Sequence, residues 1–335
     1  MRVKLKPLAE QVIVITGASS GIGRANAREA SRRGAKVLLV ARHEASLGEA
    51  VREIEAAGGT AAYAVADVGE EEQVDAAARV AVERFGRVDT WVNNAGTSIY
   101  AKLLDTPNDE HRRLFQTNYF GAVHGALAAV PLLRDAGGAL ITVASIGSDM
   151  PSPVLGAYSA TKHALKAYVE VLRMELGEAG LPISVTLIKP AGIDTPIGQH
   201  GRNHEAGEGQ IPPPVYTPDL VADAILNAAE HPRREITVGG AGKLQVLFAQ
   251  HFPWAYELIA PRIAKGFTDP AKEQPGPANL FEGVGGAERS GEHPAAKRWS
   301  LYAKAGEHPT AAALGFAALG GAALAWAVAR RRERA

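Results

Sequence analysis

The sequence predicts an α/β fold, a doubly wound parallel sheet of about seven strands with a C-terminal helical extension. Between Val12 and Val238, short apolar or β-branched runs alternate with longer segments of helical periodicity, as in βαβ units. The apolar runs are continuous instead of alternating with polar residues, which indicates strands covered by helices on both faces. A glycine-rich stretch follows the first run directly, at a place where such sheets bind ligands.

Seven runs are predicted as strands, and their carboxyl ends are expected to surround the ligand site. The predicted strands are Val12–Thr16, Lys36–Ala41, Thr60–Ala66, Val88–Asn93, Ala139–Ser145, Ile183–Lys189 and Ile236–Val238. The stretch Ile197–Val215 is rich in glycine, proline and histidine and has no periodicity. It is therefore expected to form a long mobile loop.

Composition excludes several functional classes. The chain has 335 residues with 36 basic and 36 acidic side chains, so its zero net charge gives no support to a nucleic-acid partner. It has no cysteine, which removes disulfides, thiolate nucleophiles and cysteine-ligated metals, and we expect no metal site. The N-terminal apolar run is too short for a signal-peptide core, and a cytoplasmic location is expected.

The stretch TGASSGIG, Thr16 to Gly23, joins the first predicted strand to a helix. Its glycines permit a tight turn and close backbone approach, which leaves helix N-terminal amides free to meet a pyrophosphate. A purely structural turn is the alternative, but the position after the first strand favours phosphate binding. The residues expected to contact a dinucleotide here are Gly17, Ser19, Ser20, Gly21, Ile22 and Gly23.

The end of the second predicted strand indicates which dinucleotide binds. Sites for NAD commonly place an acidic residue here, whereas sites for NADP place a cation that meets the 2′-phosphate. This chain has Arg42, with no acid before Glu44. The charge favours NADP(H) over NAD, the alternative being a solvated arginine at the start of a helix.

Two further strand ends are expected to line the cofactor. Asp67 ends the third strand, where its carboxylate is placed to accept a hydrogen bond from the adenine amino group, and Val68 follows it. The stretch NNAG ends the fourth strand and supplies Asn94, Ala95 and Gly96. Such a stretch often forms only a turn. Its position at a carboxyl end favours a role in lining the cofactor.

The stretch YSATK places Tyr158 and Lys162 four residues apart, on one face of a predicted helix. That spacing alone fits a surface pair as well as a catalytic pair. A catalytic pair is favoured over a surface pair by the order of motifs along the chain, which resembles that of the short-chain dehydrogenase/reductase family. The matching residues are TGASSGIG, NNAG, Asn118 in TNYFG, Ser145 in VASIG, and Tyr158 and Lys162 in YSATK.

This resemblance covers about Val12 to Val238 and implies a single Rossmann domain that carries both the catalytic and the cofactor site. It implies that Tyr158 is the general acid/base and that Lys162 lowers the pKa of the phenol and bonds the nicotinamide ribose. It also implies that Ser145 bonds the substrate oxygen and that Asn118 holds a water linked to Lys162.

The segment PAGIDTP resembles the part of the family that contacts the nicotinamide. The residues implied as cofactor contacts are Pro190, Gly192, Ile193 and Thr195. Thr195 matches the threonine that holds the carboxamide. Ala191 departs from the usual Pro-Gly, and this changes the expected packing around the nicotinamide.

The sequence therefore predicts an NADP(H)-dependent oxidoreductase that interconverts a carbonyl and an alcohol by hydride transfer, on a small hydrophobic substrate. A non-catalytic NADP-binding scaffold or redox sensor, and dehydratase or epimerase chemistry, are the alternatives. By resemblance, the chain is expected to form a homodimer or homotetramer.

The chain is divided by its composition into four parts: a catalytic domain at 8–240, an apolar and aromatic helical extension at 241–265, a Pro/Gly-rich linker at 266–309, and an apolar helix with an arginine-rich end at 310–335. The last part has twenty uncharged residues, enough to cross a membrane, but it is mostly alanine and glycine. A tail anchor, an interfacial helix and a helix packed on a partner all remain open. Membrane contact through 310–335 is slightly favoured.

Overall fold

The computed structural model describes residues 3–307, which are built around a seven-stranded parallel sheet. Its strands are β1 (Val12–Thr16), β2 (Lys36–Ala41), β3 (Thr60–Val65), β4 (Thr90–Asn93), β5 (Gly138–Val143), β6 (Ile183–Pro190) and β7 (Glu235–Val238). They lie in the order β7-β6-β5-β4-β1-β2-β3, and every neighbouring pair is parallel. The predicted fold class is confirmed, with strand ends displaced by two residues at most.

The strand order places a crevice above the centre of the sheet. The chain moves from β1 outward through β2 to β3 and then crosses back to β4 on the other side of β1. Loops that leave β1 and β4 therefore turn away from each other, which is where doubly wound sheets bind their ligands. The crevice is bordered by the glycine-rich turn after β1 and by Asn94–Gly96 after β4.

Helices cover both faces of the sheet, as the continuous apolar strands require. Their bounds are α1 (Gly21–Arg32), α2 (Glu44–Ala56), α3 (Glu71–Phe85), α4 (Asn108–Phe115), α5 (Gly121–Leu133), α6 (Gly156–Glu178), α7 (Ile197–His200) and α8 (Pro218–Glu230). In β1, Ile13 and Ile15 pack against α1, α2 and α8, whereas Val14 faces α3, α5 and α6. All five β1 residues are buried, so one strand joins two cores.

The stretch expected to be an irregular loop, Ile197–Val215, contains regular pairing instead. It begins with α7, and Arg202–Asn203 pairs with Ile99–Tyr100. Glu208–Gly209 pairs with Thr268–Asp269 from much later in the chain. These pairings give hydrogen-bond partners to backbone N–H and C=O groups for which the sequence pattern indicated none.

Two consecutive helices, α9 (Gly240–His251) and α10 (Pro253–Ala264), follow the sheet, and α11 (Leu301–Glu307) packs along β7. The α9–α10 pair exposes large apolar side chains, among them Leu244, Trp254 and Leu258, each about two-thirds exposed. None of the helices between residues 3 and 307 is long and apolar enough to cross a membrane. The segment 310–335, for which membrane contact is predicted, lies outside the described residues.

The segment predicted as a linker, 266–309, has little regular structure up to residue 307, yet it folds back over the carboxyl edge of the sheet. Gln274 bonds the backbone of Gly198, Gln199 and Gly209, and Leu280 is almost completely buried. The division of the chain by composition did not predict these contacts, which hold the segment beside the carboxyl ends of the strands.

Candidate active site

The glycine-rich turn has the close approach that a phosphate-binding loop needs. Gly17 and Gly21 adopt positive φ values of 68° and 55°, which side-chain-bearing residues rarely adopt. A Cβ on Gly23 would lie 2.2 Å from the carbonyl oxygen of Gly17 and 2.7 Å from Nδ2 of Asn94. The turn therefore packs directly against the segment that follows β4, and it brings the amino end of α1 to the crevice.

Hydrogen bonds from one threonine join the two borders of the crevice. Oγ1 of Thr16 accepts from the backbone N–H of Asn94 at 3.0 Å and of Ala95 at 3.1 Å. The Asn94 side chain donates back to the carbonyl of Thr16 at 2.9 Å. Asn93, the first asparagine of the pair, instead accepts from Trp91 and donates to Ala122 on α5. Asn93 therefore stabilises the sheet, whereas Asn94 faces the crevice.

The predicted adenosine end is rich in arginine. The Arg42 guanidinium donates to the backbone carbonyls of Asn279, Leu280 and Phe281, and its Nη1 lies 3.7 Å from Oδ2 of Asp67. Asp67 also accepts from Arg113, which makes the closer contact. Two guanidinium groups thus share one carboxylate. Burial lowers the pKa of the Arg42 guanidinium, and the nearby charge of Asp67 partly offsets this lowering.

The four residues predicted as catalytic come together at the carboxyl end of β5. Ser145 lies two residues after the end of β5. Tyr158 and Lys162 lie one turn apart on α6. Lys162 Nζ lies 5.6 Å from the centre of the Tyr158 ring and donates to the carbonyl of Val143 at 3.2 Å. The Ser145 side chain lines the same cavity as Tyr158 and acts to lower the pKa of its hydroxyl.

Asn118 lies in a π-helical turn, Gln116–Phe120, between α4 and α5. Such turns are frequent at functional sites. The Asn118 side chain accepts from the N–H of Thr97 at 2.9 Å and donates to the Thr97 carbonyl and the Thr161 hydroxyl. A Cβ on Gly96 would lie 3.4 Å from Oδ1 of Asn118 and 3.6 Å from Nζ of Lys162. Gly96 thus lies beside both side chains.

Burial dominates the acid–base properties of the pair. Burial raises the pKa of the Tyr158 hydroxyl, whereas Ser145 acts to lower it. Burial lowers the pKa of Lys162, which is 4% exposed, to about 8. The expected lowering of the tyrosine pKa by lysine is therefore not the largest effect, because desolvation opposes the charged form of each group.

Two adjoining cavities run along the crevice. The first is lined by Gly17, Ser19, Ser20, Gly21 and Ile22, by Arg42, Asp67 and Val68, and by Asn94, Ala95 and Gly96. The second is lined by Ser145, Tyr158, Lys162, Pro190, Gly192 and Ile193. Ile22, Asn94, Gly96 and Thr195 border both cavities, so the two form one channel from Arg42 to Tyr158. Its glycine turn and its cationic end fit a dinucleotide.

Of the predicted site residues, Asn118 and Gly23 do not line the channel but support residues that do. The lining residues that were not predicted include Tyr100, His200 and Asn279. Tyr100 is buried beside Tyr158, and burial raises its pKa. It follows NNAG by four residues, a spacing that carries no chemical signal. Between residues 3 and 307, no group of three or more acidic or histidine side chains is arranged to hold a metal ion.

An apolar cavity of about 400 Å³ opens beside the catalytic pair. Ser145 and Tyr158 form one side of it, and α9 and α10 form the opposite side through Phe248, Ile259 and Ile263. The Tyr158 hydroxyl is thus placed between a polar channel and an apolar chamber.

Comparison with known proteins gives a consistent result. Residues 11–206 match the family model described as short chain dehydrogenase. The chain is 38% identical over 339 residues to the uncharacterized oxidoreductase YxnA of Bacillus subtilis, an alignment that covers 98% of this chain and 93% of that protein.

Two solved structures are also similar. One is a short chain dehydrogenase/reductase from Burkholderia phymatum in complex with NAD, with a TM-score of 0.68 and 26% identity over 79% of this chain and 99% of that one. The other is an alcohol dehydrogenase from Thermococcus sibiricus complexed with 5-hydroxy-NADP, with a TM-score of 0.60 and 28% identity over 68% and 95% of the two chains.

Proposed function

Since the chain belongs to the short-chain dehydrogenase/reductase family and is an oxidoreductase that binds a nicotinamide cofactor, we propose that it interconverts an apolar carbonyl compound and its alcohol with NADP(H). The observation that carries this proposal is the convergence of Ser145, Tyr158 and Lys162 where the polar channel meets the apolar cavity. A scaffold that only binds nucleotide has no physical need for this arrangement.

The proton is handled by Tyr158. In the reductive direction its hydroxyl donates to the substrate oxygen, and the raised pKa keeps it protonated until that transfer. Ser145 donates a hydrogen bond to the same oxygen and stabilises the charge that develops there. The bound nicotinamide supplies or accepts the hydride.

Lys162 stabilises the phenolate that Tyr158 becomes. Its ammonium group lies near the tyrosine ring, and no carboxylate is within salt-bridge distance of it among residues 3–307. An opposite charge at this range favours the ionised phenol. Asn118 fixes the Thr97–Thr161 surroundings of this lysine, and in the proposed mechanism it holds the water through which the proton is replaced.

The preference for NADP(H) is supported by charge. Arg42 and Arg113 carry two positive charges and share the single carboxylate of Asp67 at the wall of the channel. The surplus positive charge favours a bound anion such as the 2′-phosphate. The Thermococcus sibiricus relative is complexed with an NADP derivative, and the Burkholderia phymatum relative with NAD.

An apolar substrate is supported by the cavity beyond Tyr158. Its walls carry methionine, leucine, isoleucine, phenylalanine and proline side chains, and its entrance lies under the exposed apolar surface of α9 and α10. Each methylene buried there contributes about 0.8 kcal/mol. The cavity therefore favours a hydrophobic chain or ring attached to the reacting carbonyl.

The proposal is tested by following NADPH consumption with a panel of ketones and aldehydes, in the wild type and in Tyr158→Phe. We expect the variant to lose about 100- to 10,000-fold in kcat, the usual range for a removed general acid, with NADPH affinity nearly unchanged. Tyr168→Phe, on the same helix but half-buried against Tyr119, is the matched control. Full turnover by Tyr158→Phe would reject Tyr158 as the proton donor.

A further inference from the structure

A segment from the C-terminal third, residues 277–290, lies along the adenosine end of the channel. We call it the covering segment; it is outside the 11–206 region that the family model matches. Asn279, Gly283 and Val284 from this segment line the same cavity as Gly17 and Arg42. The outer wall of the cavity is thus supplied by residues that the family resemblance does not assign to the cofactor.

One end of the covering segment is fastened beside the catalytic residues. The N–H of Asn279 donates to the carbonyl of His200 at 2.8 Å, and the Thr97 hydroxyl bonds the Asn279 side chain. Leu280 is 1% exposed and packs in a cluster with Leu114 and Tyr158. This end is held by both polar and apolar contacts.

The other end is fastened to the glycine-rich turn and α1. The N–H of Gly21 donates to the carbonyl of Ala287 at 3.1 Å. Glu288 pairs with Arg28 at 2.9 Å, and Arg289 pairs with the fully buried Asp194 at 2.5 Å. Because the attachments lie on both borders of the cavity, the segment crosses it.

The end of the covering segment that contains Asn279 also holds Arg42. Three consecutive backbone carbonyls, those of residues 279–281, accept from its guanidinium, and Leu280 also accepts from Arg113 at 2.9 Å. Carbonyls orient a guanidinium without neutralising its charge, so the positive charge stays available to an anion. Gly283 permits this contact, because a Cβ there would lie 2.7 Å from Cβ of Arg42.

We propose that the covering segment is part of the cofactor site: it positions Arg42 for the 2′-phosphate and must lift for the dinucleotide to enter or leave. This rests on the proposed use of NADP(H). Two consequences are expected. Release of NADPH is slow compared with that from a site open to solvent, and the discrimination between NADPH and NADH depends on residues 277–290 as well as on Arg42 itself.

The test compares Gly283→Val with Gly177→Val, a matched control on the exposed side of α6, where an added Cβ meets nothing within 4 Å. The valine side chain forces the segment away from Arg42. We expect NADPH to dissociate about tenfold faster from Gly283→Val in a stopped-flow displacement experiment, since affinity changes within one site appear mainly in the dissociation rate. The ratio of NADPH to NADH affinity is expected to fall, an effect that mere loss of stability does not produce. The control is expected to match the wild type.

Amide hydrogen exchange in the wild-type protein tests the same proposal without a substitution. Exchange at residues 279–287 is expected to slow when NADPH is added, and to slow less with NADH. Unchanged exchange with bound NADPH, or an unchanged dissociation rate and ratio in Gly283→Val, would overturn the role of the covering segment and leave the proposed function standing. Failure of the wild type to bind either nucleotide would instead overturn the proposed function itself.

Discussion

Replacing Lys162 by methionine removes a buried ammonium group and keeps most of the side chain's length. Lys162 is 4% exposed, and burial lowers its pKa from 10.5 to about 8. This lowering of the pKa corresponds to a cost of about 3 kcal/mol for holding the charged lysine in the folded protein. Methionine does not have this charge to bury.

The expected gain is smaller than that figure because one hydrogen bond is lost. Methionine cannot donate to the carbonyl of Val143, which costs roughly 1 kcal/mol. We therefore expect Lys162→Met to raise the free energy of unfolding by about 2 kcal/mol near neutral pH, and the melting temperature by about 4 °C. The same variant is expected to lose turnover, because it removes the positive charge that stabilises the Tyr158 phenolate.

The pH dependence identifies the cause. Between about pH 8 and the ordinary lysine pKa, the unfolded wild-type chain binds a proton at Lys162 that the folded protein does not, so wild-type stability rises with pH in this window. The advantage of Lys162→Met is therefore largest below about pH 8 and shrinks above it. Thermal melts across this range measure it, with Lys36→Met, at an exposed strand end, as the control. A variant that melts at or below the wild-type temperature at neutral pH would refute the reasoning.

Three further outcomes are expected. Arg42→Ala should weaken NADPH binding at least about tenfold and leave NADH binding nearly unchanged, since a charged hydrogen bond contributes about 1.5–3 kcal/mol. Arg112→Ala, on the exposed side of α4, is the control. An unchanged ratio of the NADPH and NADH affinities in Arg42→Ala argues against the 2′-phosphate contact. Along a series of alkyl ketones, kcat/KM should rise roughly fourfold per methylene until the cavity is full; a flat series would contradict an apolar substrate. Gly23→Ala should abolish nucleotide binding because the added Cβ would lie 2.2 Å from the Gly17 carbonyl oxygen. The control, Gly177→Ala, adds its Cβ in open space on α6, so this variant should bind nucleotide normally and be slightly more stable. Normal nucleotide binding by Gly23→Ala would show that the turn tolerates a side chain.

The sheet was predictable because its strands carry their own signal. Residues 12–15 and 37–41 are continuous apolar runs, and burial on both faces is what selects such runs. Ser145, Tyr158 and Lys162 were singled out by the resemblance to the family's ordered motifs, and a strand end and helical spacing account for where they lie. Local pattern and chain order were sufficient for these features.

The covering segment was not predictable for a physical reason. It holds Arg42 through backbone carbonyls, which every residue type possesses, so no side-chain pattern marks them. Its glycines suggested a flexible linker, yet Gly283 is required by the close approach to Arg42. The balance between burial and charge at Tyr158 and Lys162 was also hidden, since desolvation depends on the surroundings that the whole fold creates.

The apolar cavity beside Tyr158 has walls from two distant parts of the chain. The reacting groups lie on β5 and α6, whereas the opposite wall comes from α9 and α10, which also connect to the covering segment. Exchanging residues 241–307 for those of a relative would therefore alter which molecule is accepted while leaving the proton-handling side chains in place. Within residues 241–307, the wall of the substrate cavity is thus carried by α9 and α10, on different elements from the groups that handle the proton.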